Sequence, residues 1–241
     1  FDSDTRSDIS VYRPSTGTWY WLTSATPGYQ FSQFGEPGDI AAPGDYDGDG
    51  KTDRVVFRPT TGTWYQLTSG GAYNVIPFGA QGDIPVPGDY DGDGKFDLAV
   101  WRPTNGTWYF LGSTGVYRFR QFGVNGDKPA QGEYDADGIT DFVVFRPSTG
   151  TWYFQLTKVP SYSFTQFGVN GDLPVPGDYD GDGKVDMAVF RPLNGTWYMV
   201  NATQGYFVYP FGQNGDRPTP ADFDGDGKTD LAVFRSGIWY I

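Results

Sequence analysis

A nine-residue pattern, Asp-Tyr-Asp-Gly-Asp-Gly-Lys-x-Asp, recurs along the chain about every 44 residues. It runs from Asp45 to Asp53, Asp89 to Asp97, Asp178 to Asp186 and, with Phe223 in place of Tyr, Asp222 to Asp230. A variant runs from Glu133 to Asp141, and a shortened copy places Asp2, Asp4 and Asp8 at the start. Carboxylates at the first, third, fifth and ninth positions of a glycine-kinked loop are hard oxygen ligands that can converge on a hard cation, the pattern of a calcium site. Asp-Gly pairs also form simple Asx turns. Four carboxylates packed into nine residues, however, repel one another strongly unless a cation lies between them.

The overall charge follows from this motif. Of 29 acidic residues, 23 lie in the six loop copies, and five more are the Asp of a second repeated motif, Phe-Gly-x-x-Gly-Asp: Asp39, Asp83, Asp127, Asp172 and Asp216. Only Glu36 stands outside a repeated position. Five bound Ca²⁺ ions would bring the formal charge of −12 to about −2. With no basic stripe to neutralise phosphates, nucleic acid is excluded as an expected partner. The chain has no Cys, so neither disulfides nor thiolate metal sites are expected, and no His, which removes the commonest general base and zinc ligand. No apolar run approaches the ~18 residues that span a bilayer, so membrane insertion is not expected. The chain opens at Phe1 inside a motif, which reads as a processed or excised piece whose signal peptide would already be gone.

The elements that must position these loops are strands. In residues 83–126, Ile84 to Tyr90 is a short extended segment whose prolines suit a strand end. The acidic loop follows, then the apolar run Leu98–Arg102, a turn at Pro103–Gly106 and a second strand over Thr107–Leu111. Gly112–Gly115 turns again, Val116–Phe122 alternates as an outer strand, and Gly123–Gly126 closes the unit. Four strands in about 44 residues match one propeller blade. Strands that are apolar on both faces, as Leu98, Val100 and Trp101 make this one, need cover on both sides, and radially stacked blades supply it. A β-solenoid is the rival reading. The expectation is an all-β, single-domain β-propeller with blade units near 1–38, 39–82, 83–126, 127–171, 172–215 and 216–241. The first unit lacks its initial strand and the last stops after its third. Five closed blades with an overhang is the alternative.

With loop, Phe-Gly step and blade length together, the chain resembles the FG-GAP or VCBS-type repeat proteins, relatives of the integrin α-subunit propeller. The resemblance covers essentially the whole chain. It implies that each acidic loop joins the first and second strands of its blade and holds one Ca²⁺. It names no ligand, because the family hosts adhesion modules, lectin-like proteins and accessory domains of polysaccharide-degrading enzymes.

In the copy at Asp45 the expected ligands are the side chains of Asp45, Asp47, Asp49 and Asp53 and the backbone carbonyl of Lys51. The same roles fall on Asp89, Asp91, Asp93, Asp97 and Lys95; on Asp178, Asp180, Asp182, Asp186 and Lys184; and on Asp222, Asp224, Asp226, Asp230 and Lys228. In the variant they fall on Glu133, Asp135, Asp137, Asp141 and Ile139, with Ala136 where the others have Gly, and a weaker site is expected. The shortened copy lacks its first ligand and has Thr5 for the bending Gly, so it is expected to be empty or weak. An EF-hand is excluded, because its twelfth position is Val56 instead of Glu and strands flank the loop. Structural rather than switching calcium is expected.

Other repeated residues have structural readings beside functional ones. Trp19, Trp64, Trp108, Trp152, Trp197 and Trp239 could stack sugars, but a Trp at one strand position in every unit reads first as packing. The Arg of each Arg-Pro step could reach a carboxylate or stack on an aromatic neighbour, and the Asp of Phe-Gly-x-x-Gly-Asp would fix a turn. The sequons at Asn105 and Asn194 occupy hairpin-turn positions; a third is at Asn201. Segments between third and fourth strands vary most (24–28, 69–72, 112–115, 158–161 and 202–205), with Trp21 and Lys158 as unrepeated additions.

No catalytic residues are expected, since nearly every carboxylate has a repeated role and no phosphate-binding Gly loop precedes a helix. Two functions remain. One is a secreted, non-catalytic adhesion module at the cell surface, binding glycan or protein ligands in grooves between blades. The other is a structural subunit of a surface layer, stalk or filament that self-assembles through incomplete terminal blades.

Overall fold

The structure is a computed structural model that describes residues 2, 4, 6–24, 28–159 and 161–241. Among them there is no helix; every regular element is a strand. Residues 1–125 form one compact unit and 126–241 a second. The first unit holds three antiparallel sheets: β1 (Ile9–Arg13), β2 (Thr18–Leu22) and β3 (Tyr29–Gln33); β4 (Ile40–Ala41), β5 (Arg54–Arg58), β6 (Thr63–Leu67) and β7 (Tyr73–Pro77); and β8 (Ile84–Pro85), β9 (Leu98–Arg102), β10 (Thr107–Leu111) and β11 (Tyr117–Gln121).

The second unit holds three more. They are β12 (Lys128–Pro129), β13 (Phe142–Arg146), β14 (Thr151–Gln155) and β15 (Tyr162–Gln166); β16 (Leu173–Pro174), β17 (Met187–Arg191), β18 (Thr196–Asn201) and β19 (Gly205–Pro210); and β20 (Arg217–Pro218), β21 (Val233–Arg235) and β22 (Ile238–Tyr240). These are the blades of a six-bladed β-propeller, three in each unit. Among the described residues four have four strands, the first shows no short inner strand and the sixth no outer one.

The expected first strand over Ile84–Tyr90 is shorter than its extended sequence. Ile84 and Pro85 pair with Trp101 and Val100, and Val86 still donates to the Ala99 carbonyl at 2.8 Å. Pro87 has no N–H to continue the ladder. Pairing resumes as a single bridge between Gly88 and Asp97, which closes the base of the acidic loop.

Strands apolar on both faces stack within each unit. Val55, Phe57 and Trp64 of the second blade form one core cluster with Leu98 and Val100 of the third. Val143, Phe145 and Trp152 meet Val189, and Phe190, Trp197 and Met199 meet Val233. Five repeated tryptophans are buried, and each indole N–H donates to the carbonyl of the Phe in the Phe-Gly step, as in Trp64 to Phe78 at 2.8 Å. They are packing residues; Trp239 is half-buried. The hairpin glycine allows the close approach. Gly106 has φ +64°, and a Cβ there would lie 2.1 Å from the Gly123 carbonyl oxygen.

The Arg and Asp motifs meet. Asp39, Asp83, Asp127, Asp172 and Asp216 are buried, and each accepts two hydrogen bonds from the Arg nineteen residues later: Arg58, Arg102, Arg146, Arg191 and Arg235. Asp39, Asp83, Asp172 and Asp216 also accept the backbone N–H three residues earlier, from Glu36, Ala80, Val169 and Gln213, which closes the turn between blades. The guanidinium lies over a Tyr ring, 4.1 Å from its centroid for Arg191 and Tyr198. Bidentate geometry and full satisfaction make the pair strong, and removing one partner strands the other. Asp83→Ala is expected to destabilise the fold by about 3 kcal/mol in denaturant unfolding; a change within about 0.5 kcal/mol, typical of a surface substitution, would show the pair to be dispensable.

Candidate metal centres

Each of the five full-length acidic loops is suspended between the first two strands of its blade. Three of the copies start just after a glycine that admits the neighbouring blade: Gly44, Gly132 and Gly177. A Cβ on Gly44 would lie 2.2 Å from the Phe96 ring, and one on Gly177 would lie 2.8 Å from Thr229. Successive loops are also bonded. The carbonyls of Asp45, Glu133 and Asp178 accept the N–H of Phe96, Val185 and Thr229, each just before the last carboxylate of the next loop.

In five copies the first, third and ninth carboxylates converge. Oxygens of Asp45, Asp47 and Asp53; Asp89, Asp91 and Asp97; Glu133, Asp135 and Asp141; Asp178, Asp180 and Asp186; and Asp222, Asp224 and Asp230 lie within 4.8 Å of one another, and each group could hold a metal ion. The fifth-position residues Asp49, Asp93, Asp137, Asp182 and Asp226 fall outside these groups. In three blades a hydroxyl holds them: Ser69 donates to Asp49, Ser113 to Asp93, and Thr157 to Asp137 at 2.7 Å. The Ser69 and Ser113 hydrogen bonds keep Asp49 and Asp93 below the usual carboxylate range. Lys51, Lys95, Ile139, Lys184 and Lys228, expected as carbonyl donors, give their N–H to the Asp two residues earlier. The lysine stems are used in packing: Lys95 Cε lies 3.0 Å from where a Cβ on Gly48 would stand.

The hydroxyl donors were missed in the sequence, where their segments read only as variable turns. Ser24, Ser69, Ser113 and Thr157 stand sixteen residues after the last carboxylate of their loop, and the backbone N–H of each donates to it. In the fifth blade Ala202 takes that place, and Thr203 donates to Asp180 instead at 2.9 Å.

The variant loop keeps the geometry through a longer arm. Glu133 Oε1 accepts Asp135 N–H at 2.9 Å and Ala136 N–H at 2.6 Å, and Oε2 accepts Gly138 N–H, the bonds that Asp45 makes to Gly48 and Gly50. Ala136 sits at φ +60°, which costs about 1 kcal/mol relative to Gly. Lys158 reaches this loop, with its N–H on Asp135 Oδ2 at 3.1 Å and Nζ 3.4 Å from the Asp135 carbonyl. In the shortened copy Asp2, Asp4 and Asp8 form no such group, and Ser24 Oγ donates to Asp4 at 2.6 Å; Thr5 lies outside the described residues. Trp21 lies under Arg54, whose guanidinium is 5.3 Å from its ring centroid. Asn105 and Asn194 donate to Tyr109 and Tyr198 hydroxyls at hairpin turns, and Asn201 is buried.

The donor set fits a hard cation: every converging atom is a carboxylate oxygen. Oδ1 of Asp91 and of Asp135 is cut off from solvent and has no hydrogen-bond partner. A buried anionic oxygen without partner is costly, and a cation would satisfy it. The last carboxylate of the loop carries the strain. Burial, reinforced by Asp91 and Asp89, pushes Asp97 up to about 6; burial likewise pushes Asp141 up to about 6 and Asp186 to about 7. The Arg235 hydrogen bond holds Asp216 low, so that ion pair stays ionised in this range.

A raised folded-state value means that the metal-free fold binds these protons more tightly than the unfolded chain. Their stabilising contribution is complete below the ordinary value of 3.8 and is lost as pH rises through 6 to 7. The melting temperature of chelated protein should therefore fall between about pH 5 and pH 8 in a thermal scan; a rise over that window would contradict this assignment.

A family model of the FG-GAP-like repeat matches residues 45–100, 133–189 and 178–233. No curated protein matches the chain. Among solved structures, virginiamycin B lyase from Staphylococcus aureus is similar over 98% of this chain and 80% of its own, with 8% identity and a TM-score of 0.61. A streptogramin B lyase structure is similar over 88% and 67%, with 11% identity and a TM-score of 0.61. An Agrocybe aegerita lectin that recognises non-reducing terminal N-acetylglucosamine is similar over 96% and 72%, with 12% identity and a TM-score of 0.60. At these identities the likeness is one of fold. Repeated acidic loops on four-stranded blades, matched by that family over more than half the chain, make this protein a member of the FG-GAP-like repeat family.

Proposed function

We propose that the protein is a calcium-stabilised, non-catalytic binding module that works outside the cell and holds glycans in the grooves between its blades. The observation that carries this reading is the recurrence of one cavity. Grooves of about 250 Å³ between the first and second blades, 450 Å³ between the second and third, 400 Å³ between the fourth and fifth, and 290 Å³ between the fifth and sixth open beside the acidic loops. Repeated shallow sites suit a ligand that is itself repetitive, because several weak contacts add through avidity. The similar fold of a sugar-binding lectin supports the same reading.

Calcium is the cation of choice here. Oxygen-only, flexible donor sets suit it, and extracellular modules use its millimolar concentration. Its role is to offset carboxylate repulsion and to fix the loops that border the grooves. Catalysis is not part of the proposal, because the carboxylates with raised values are loop ligands and the other buried ones are paired with arginine.

Excess chelator at neutral pH should lower the melting temperature sharply. Each site contributes about 2.7 kcal/mol when calcium is at a hundredfold excess over its Kd. An unchanged melting temperature would refute the calcium role. A glycan array in millimolar calcium should give hits that vanish in chelator; a blank array with calcium-loaded protein would refute glycan binding.

A further inference from the structure

In the second, third and fourth blades the outer hairpin engages two carboxylates of its acidic loop. A backbone N–H donates to the ninth-position residue: Ser69 to Asp53 at 2.7 Å, Ser113 to Asp97 at 3.0 Å and Thr157 to Asp141 at 2.7 Å. The hydroxyl of the same residue donates to Oδ2 of the fifth-position Asp49, Asp93 or Asp137. Oδ1 of each fifth-position carboxylate already accepts the N–H two residues later, so both of its oxygens are occupied. The fifth blade withdraws both hairpin bonds. Ala202 has no hydroxyl, and among the described residues Asp182 keeps only the Lys184 N–H, on Oδ1, and Asp186 only that of Tyr179, on Oδ2. The difference begins one residue earlier. Asn201 Oδ1 accepts the Gln204 N–H at 2.7 Å, where in the second blade the Thr68 carbonyl accepts that of Gly71 at 2.9 Å. This turn is held at a cost, because Asn201 is 6% exposed and its Nδ2 is buried without a partner.

We infer that the outer hairpin sets how tightly each loop holds its cation, and that Asn201 and Ala202 make the fifth-blade loop tighter than those of the second, third and fourth blades. The inference rests on the calcium role proposed above and ranks its sites. A carboxylate oxygen that already accepts a hydrogen bond must exchange it for the cation, whereas one without a partner has nothing to give up. In the fifth blade two such oxygens stand free, and Asp182 and Asp186 line one cavity together with Asn201. Losing the hairpin N–H has not displaced Asp186, which still converges with Asp178 and Asp180. The Thr203 N–H, 2.9 Å from Asp180 Oδ2, instead fixes the third-position carboxylate. Residues 201 and 202 thus act as positioning residues for the metal, and the hydroxyls of Ser69, Ser113 and Thr157 compete with it for the fifth-position carboxylate.

The test is a calcium titration of the full chain, followed site by site by NMR in a buffer that sets the free calcium concentration. The amides of Gly50, Gly94, Gly138 and Gly183, each bonded to the first carboxylate of its own loop, are the reporters. Gly183 should respond first, with a midpoint about tenfold below those of the other three, the scale of one hydrogen bond to a charged group. Asn201→Thr combined with Ala202→Ser, which installs the residues of the second blade, should raise the Gly183 midpoint about tenfold and leave Gly50 unmoved. Ser69→Ala should lower the Gly50 midpoint and leave Gly183 unmoved, and melting temperatures confirm that both variants fold. Gly183 responding together with or after the others would overturn the ranking. Midpoints that neither variant moves would overturn control by the hairpin, while the calcium role itself would stand. No response of any of the four amides to millimolar calcium would overturn both this inference and the calcium role.

Discussion

The structure depends on a carboxylate that is buried before it is paid for. Asp53, Asp97, Asp141 and Asp186 end their loops inside the protein, where burial disfavours their charge. Each nonetheless organises its blade. One oxygen of Asp53 accepts the N–H of Tyr46 within the loop, the other accepts that of Ser69 in the far hairpin, and its own N–H bonds Gly44 at the loop base. One anion thus ties together the loop, the inner strand and the outer hairpin. Two further carboxylates converge on the same point, so a positive charge there both relieves the burial and locks three segments.

A second set of charges works in the opposite way. The Asp of each Phe-Gly-x-x-Gly-Asp turn is as deeply buried, yet it is neutralised within the chain by a bidentate arginine that stacks on tyrosine. Such a turn is complete without a ligand. The propeller therefore separates two classes of buried carboxylate: one self-satisfied at the turns between blades, and one at the loops, grouped with two others so that it could hold a metal ion. Backbone bonds between successive loops then carry order from blade to blade within each unit.

Much of this was legible in the sequence because it is periodic. The blade length, the hairpin Leu98–Arg102 with Thr107–Leu111 and the incomplete terminal blades follow from spacing, and of the four carboxylates expected to converge in each loop the first, third and ninth do, while the fifth does not join them. The Asp–Arg pairing was present as a constant separation of nineteen residues, but each motif alone gave several readings. Ser69, Ser113 and Thr157 were hidden because their turns vary in sequence and their role lies in contact with a distant loop.

The most direct measurement of the loop chemistry is a count of cations. Native mass spectrometry of chelated protein titrated with calcium should show binding that saturates at five ions per chain, one for each convergent carboxylate group, with the Glu133 loop filling last. Saturation at none or one would mean that the loops hold their buried charge by proton uptake and hydrogen bonds alone, and the cation would lose its place in the fold.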